Sequence, residues 1–220
     1  MVSLGYCPEW FFHQSIGLEL VFAVITLLVA IFSFKIYNLS KEKKAIWFGT
    51  GFLLFSISYF IQSILNVGIL YRVSETIQLV QQASNVINLG LTALHLHMIL
   101  MITGLVILTH TSLKEKSLRN FLLLLAVTIT PIYFSQNAVF LFFVISSILL
   151  GFLTLTYLLN YTANKKFNTY LVFSAFLLLF LSNIHFVFSF TDKIFYVIAH
   201  YFELFSYLLI LTNLILVLKK

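Results

Sequence analysis

Charged residues in this chain stand at the ends of long apolar runs and almost never inside them. No Asp, Glu, Lys or Arg occurs between Arg119 and Lys165, or between Lys166 and Asp192. A helix rises about 1.5 Å per residue, so about 20 apolar residues cross the ~30 Å hydrocarbon core of a bilayer. With 61% hydrophobic and 9% charged residues, the chain has too little polar surface to coat a soluble globule. The pattern predicts one all-α domain over residues 1–220: a polytopic membrane protein with seven transmembrane helices. They are expected at about 15–37, 45–70, 86–110, 120–135, 138–161, 168–190 and 194–218. The polar stretch 71–88 reads as an amphipathic outward extension of the third helix.

The same charges predict an orientation. Lys35, Lys41, Lys43, Lys44, Lys114, Lys116, Arg119, Lys165, Lys166, Lys219 and Lys220 fall at alternate connections or at the C-terminus. Only Arg72 and Lys193 fall on the other side. By the positive-inside rule the N-terminus lies outside and the C-terminus in the cytoplasm of a cell membrane. Trp10 and Trp47 stand near opposite boundaries, as an aromatic belt requires. The net charge of +6 is thus a topology signal and not a nucleic-acid footprint. The first apolar run lacks a basic start and a small-residue cleavage site, so it reads as a retained span. The single cysteine, Cys7, excludes an intramolecular disulfide and a thiolate metal cluster.

Helices one to three can be laid over helices five to seven, with helix four as linker. Lys43-Lys44 then matches Lys165-Lys166, and Gln62 falls within a residue of His185. His95 precedes Lys114, and His200 precedes Lys219, by the same nineteen residues. This three-plus-one-plus-three plan resembles the architecture of small SWEET-like sugar exporters, but their Pro-Gln signatures are missing. No lysine lies mid-way along helix seven, which excludes a retinal Schiff base as in microbial rhodopsins. Membrane hydrolases of the ceramidase and adiponectin-receptor type pair histidines four apart on the last helix, where this chain has Tyr196 and Leu204. There is also no P-loop, H-E-x-x-H or nucleophile elbow.

Within the last run, Tyr196, His200, Glu203 and Tyr207 recur at steps of four, three and four, and so share one helical face. A polar stripe in a membrane helix faces protein or trapped water. Reckoned from the basic ends, His95, His185 and His200 lie in the outer third of the membrane, with Glu19 level and Glu203 about one turn deeper. Tyr59, Gln62 and Asn66 form a second stripe on helix two. Asn85, Asn88 and Thr92 lead into His95 on helix three.

Imidazole and carboxylate together suit zinc, copper or iron, so His95, His185, His200, Glu203 and Glu19 are expected as a metal layer. His95, His200 and His185 at matched depth also suit axial ligation of a b-type haem. The leading expectation is a buried, outward-opening His/Glu site holding a transition metal or haem, for electron transfer, sensing or uptake. A second reading is a cofactor-free sensory or partner-binding subunit, whose histidines serve as interhelical contacts. A third is a metal-dependent lipid hydrolase with Glu203 as base. Whether the chain is an enzyme stays open. Its one implied partner is the lipid bilayer, and its size without a soluble domain fits a subunit of a larger membrane complex. His97 lies about 200° round from His95 and reads as packing in line with Met101 and Gly104. His110 reads as a helix cap at the cytoplasmic edge, and His13 as solvated.

Overall fold

The computed structural model describes residues 7–75, 80–113 and 117–219, the side chains of 69–89 excepted. Among the described residues a short 3₁₀ turn (Glu9–Phe11) leads into seven α-helices: α1 (Phe12–Ser40), α2 (Lys43–Glu75), α3 (Val80–Ser112), α4 (Leu118–Phe134), α5 (Ala138–Asn164), α6 (Phe167–Phe188) and α7 (Ile194–Leu218). Every helix but α4 is long and apolar enough to cross a membrane, six in all. The helices outrun several of the expected spans, because backbone bonding continues through polar end turns that hydropathy does not register. α2 and α3 have 33 residues each, about 50 Å at the helical rise. Each is longer than the ~30 Å hydrocarbon core that a span has to cross.

Local chemistry sets the boundaries. α1 and α5 stop where Lys41 and Lys165 turn left-handed, at φ of 57° and 49°, and return their N–H groups to Tyr37 and Tyr161. Ser117 and Asn137 cap α4 and α5 by accepting the N–H groups of Asn120 and Phe140. α4 has 17 residues with Pro131 in its last turn.

Neighbouring helices in space follow the chain, with one exception. The order α1–α2–α3–α5–α6–α7 closes on itself through contact between α7 and α1, and α4 lies outside against α3 and α5. Polarity is inverted relative to a soluble bundle. Buried positions include Thr26, Ser33, Ser56, Ser58, Thr154, Ser182 and Ser206, whereas Leu20, Val24, Ile148, Leu155 and Phe205 are exposed. An exposed apolar mantle over a hydroxyl-rich interior is what lipid requires, because polar groups have no water to turn to.

The hydroxyls act between helices. Ser33 donates to the Ala45 carbonyl and Ser56 to that of Ala23, joining α1 to α2. Ser58 donates to the His97 carbonyl, joining α2 to α3. Thr154 reaches the Phe176 carbonyl, Ser182 that of Ala199 and Ser206 that of Ala175, joining α5, α6 and α7. Where α2 crosses α3 there is no room for a side chain. A Cβ on Gly104 would stand 2.8 Å from the Gly51 carbonyl oxygen and 2.5 Å from the Phe55 ring.

Candidate functional site

The ring of helices surrounds a partly open cavity of about 110 Å³, lined on its polar side by Glu19, Tyr59, Gln62, His97, Asn183, Tyr196, His200 and Glu203. Leu94, Met98, Met101, Val139, Phe142, Phe143 and Phe186 complete the wall. Six helices contribute, and the polar stripe of α7 faces the interior.

Glu203, 5% exposed, is held from two sides. Its Oε1 accepts the hydroxyl of Tyr59 from α2, across the ring, and that of Tyr207 one turn along α7 at 3.3 Å. The two tyrosine oxygens are 2.8 Å apart. Three oxygen contacts thus share two hydroxyl protons, so the triangle closes fully only when the carboxyl carries a third. All hydrogen bonds that Glu203 accepts from described residues fall on Oε1, which leaves Oε2 for whatever occupies the cavity. On the opposite wall Glu19 accepts the Asn66 amide on both oxygens, at 3.1 and 2.8 Å. Among the described residues no lysine or arginine pairs with either carboxyl.

The imidazoles are fixed by carbonyls. His200 Nδ1 stands 3.0 Å from the Tyr196 carbonyl oxygen, which only accepts, so Nδ1 carries the proton and Nε2 the lone pair. His97 Nδ1 is 2.8 Å from Ser58 Oγ and 3.2 Å from the Ser58 carbonyl. Since the Ser58 hydroxyl already donates to the His97 carbonyl, His97 has the same tautomer. His200 is set among aromatic rings: Phe22 stacked at 6.0 Å, with Phe186 at 5.1 Å and Phe11 at 5.6 Å edge-on.

The expected metal layer is not assembled. Of its three histidines only His200 reaches the cavity. His95 bonds the Leu91 carbonyl through Nδ1, off the cavity wall. His185 bonds the Leu181 carbonyl and packs against Phe195 and Phe202 on the other side of α6. Their helices turn His95 and His185 away from the cavity. Among the described residues no group of three or more His, Cys, Asp or Glu is placed to hold a metal ion. His95 and His200 do not face each other across the bundle, so the donor set fits neither the metal nor the haem.

His97 takes the place expected of His95. The face of α3 that looks inward runs Leu94, His97, Met98, Met101 and continues into the close crossing at Gly104. A glycine that marks a helix crossing was the available signal. Asn183 also lines the cavity and was not anticipated. Thr92 is exposed, and the side chains of Asn85 and Asn88 lie outside the described residues. His110, in the last turn of α3, reaches the Ser117 carbonyl at 3.3 Å and ties the α3–α4 turn. His13 is exposed.

No protein-family model, curated protein or solved structure matches this chain. The functional reading therefore rests on the cavity.

Proposed function

We propose that this is a multi-pass membrane protein that takes a small cation into its interior cavity in exchange for a proton, for uptake or sensing. The observation that carries it is a pair of buried carboxyls, Glu19 and Glu203, sharing a cavity with imidazoles and phenols and, among the described residues, with no lysine or arginine partner. An uncompensated carboxylate in a low-dielectric interior is costly, so each one has to hold a proton or a bound cation. The titratable groups facing the exchange are Glu19 from α1, Tyr59 from α2, His97 from α3, and Tyr196, His200, Glu203 and Tyr207 from α7. The hydrolase reading gains nothing from this geometry, since Glu203 is engaged by two tyrosines and no group of three or more His, Cys, Asp or Glu among the described residues is placed to hold a metal.

The reading includes a topology. Seven crossings, with α4 as the short fourth, put the lysine-rich ends of α1, α3, α5 and α7 in the cytoplasm and the N-terminus outside. Two three-helix halves joined by α4 are supported by the spatial order, in which α1–α3 and α5–α7 are each contiguous.

The test is proton release from the purified full chain in weakly buffered detergent, followed with a pH dye as chlorides of small cations are added. The wild type is expected to release about one proton per site. The same cation at a hundredfold excess over its Kd is worth about 2.7 kcal/mol of stability, or about 5–10 °C in Tm. Glu203→Gln should show neither response, and His185→Ala should show both. A wild type that neither releases protons nor gains stability with any small cation defeats the proposal.

A further inference from the structure

We infer that the cation is a short primary alkylammonium, recognised through its N–H donors and its alkyl chain; this rests on the cation-exchange reading above. The cavity offers hydrogen-bond acceptors in excess of donors. Glu203 keeps Oε2 without a partner among the described residues, and Glu19 lines the same space. His200 is 4% exposed, and its Nε2 carries a lone pair with no hydrogen-bond partner among the described residues, because the ring proton is committed to the Tyr196 carbonyl. His97 presents the same tautomer at the α3 wall. These acceptors face the cavity without a protein partner among the described residues, and a ligand that donates can replace the water they would otherwise bind. Three ammonium protons directed at carboxylate and imidazole acceptors do this, and a quaternary ammonium, with no N–H, does not.

The rest of the wall selects the remainder of the ligand. Phe142 and Phe186 contribute aromatic surface beside the carboxyls, and a cation beside a ring face is attracted by the ring quadrupole. The volume of about 110 Å³ sets the length. A dry cavity of about 150 Å³ accepts benzene, with its six heavy atoms. This one accordingly holds roughly four, an amine nitrogen and up to three carbons. Sodium satisfies neither the imidazole lone pairs nor the apolar wall, since hard cations are bound by oxygen.

Isothermal titration of the full chain in detergent, with n-propylammonium, tetramethylammonium and sodium chlorides, tests this. Propylammonium is expected to bind at least tenfold more tightly than either of the others. Glu203→Gln and His200→Phe, the second keeping an aromatic ring in the Phe11–Phe22–Phe186 cluster, should each weaken it about tenfold. His185→Phe should leave it unchanged. Tetramethylammonium binding as tightly as propylammonium would overturn the role of the N–H donors. Binding of sodium alone would overturn the alkylammonium and leave the cation site standing. Binding of none of the three would remove both proposals.

Discussion

At the scale of single residues, the stripe on α7 was legible because one helix with one period fixes which side chains share a face. What lies opposite it was less so. His95 and His97 differ by two positions, and polar continuity with Asn88 and Thr92 favoured His95, whereas His97 is the one that lines the cavity. Packing is decided by where helices approach closely, and on α3 that is the face of Gly104. α6 repeats the lesson: Ala175, Leu179, Ser182 and Phe186 are buried while His185 is only half-buried on a different face. Glu203→Leu removes the acceptor of two buried hydroxyls and should destabilise the protein by about 1–3 kcal/mol in detergent melts, with Glu203→Gln losing less. Equal melting temperatures for the three forms would detach Glu203 from the tyrosine pair. Cys7 makes a second case. Its thiol is 1% exposed beside Phe11 and Val197, and burial pushes its pKa from 9.0 up to about 11. Two units mean about 100-fold less thiolate at neutral pH, so maleimide labelling should be slowed to that degree and restored by unfolding in SDS. Because the raised value favours the protonated form in the folded state, stability from this group is complete below pH 9 and declines as pH rises from 9 to 11. Rapid labelling of the folded protein at pH 7 would contradict the burial.

At the scale of elements, the helices themselves were readable from length and charge placement, and their ends were not. Lys41 and Lys165 close helices in a left-handed conformation for which no glycine advertises the turn. The crossing of α2 and α3 makes a sharper prediction. At Gly104 the nearest obstacle to a Cβ includes the backbone of Gly51, which cannot rotate away, so Gly104→Ala has to push two helices apart. We expect a loss of about 1–3 kcal/mol, the usual cost of overpacking. At Gly17 and Gly68 an added Cβ meets nothing within 4 Å, and alanine there should be neutral or should stabilise by up to about 1 kcal/mol through helix propensity. Similar melting temperatures for Gly104→Ala and Gly68→Ala would mean that the close crossing is not a determinant of the fold.

At the scale of the whole molecule, the closed order of six helices with α4 outside was not legible, because nothing in an apolar run says which neighbour it will choose. The orientation we propose is open to direct measurement. In a Cys7→Ala background, single cysteines replacing the exposed Ser40, Leu113, Gln136 and Asn164 can be probed with an impermeant maleimide on whole cells. Only Gln136→Cys should label before permeabilisation. Labelling of Leu113→Cys alongside Gln136→Cys would remove α4 as a crossing, and the reverse pattern would invert the protein.

The hydroxyl-to-carbonyl bonds described between neighbouring helices divide the molecule into two leaves. Those of Ser33, Ser56, Ser58, Thr154, Ser182 and Ser206 all fall within α1–α3 or within α5–α7. Where the two triplets meet, Phe22 touches Tyr207, Phe11 touches Tyr196 and His97 touches Phe142, ring against ring. Hydroxyls thus tie each leaf internally, and the cavity, with Tyr59 on one leaf bonded to Glu203 and Tyr207 on the other, straddles the line between the leaves.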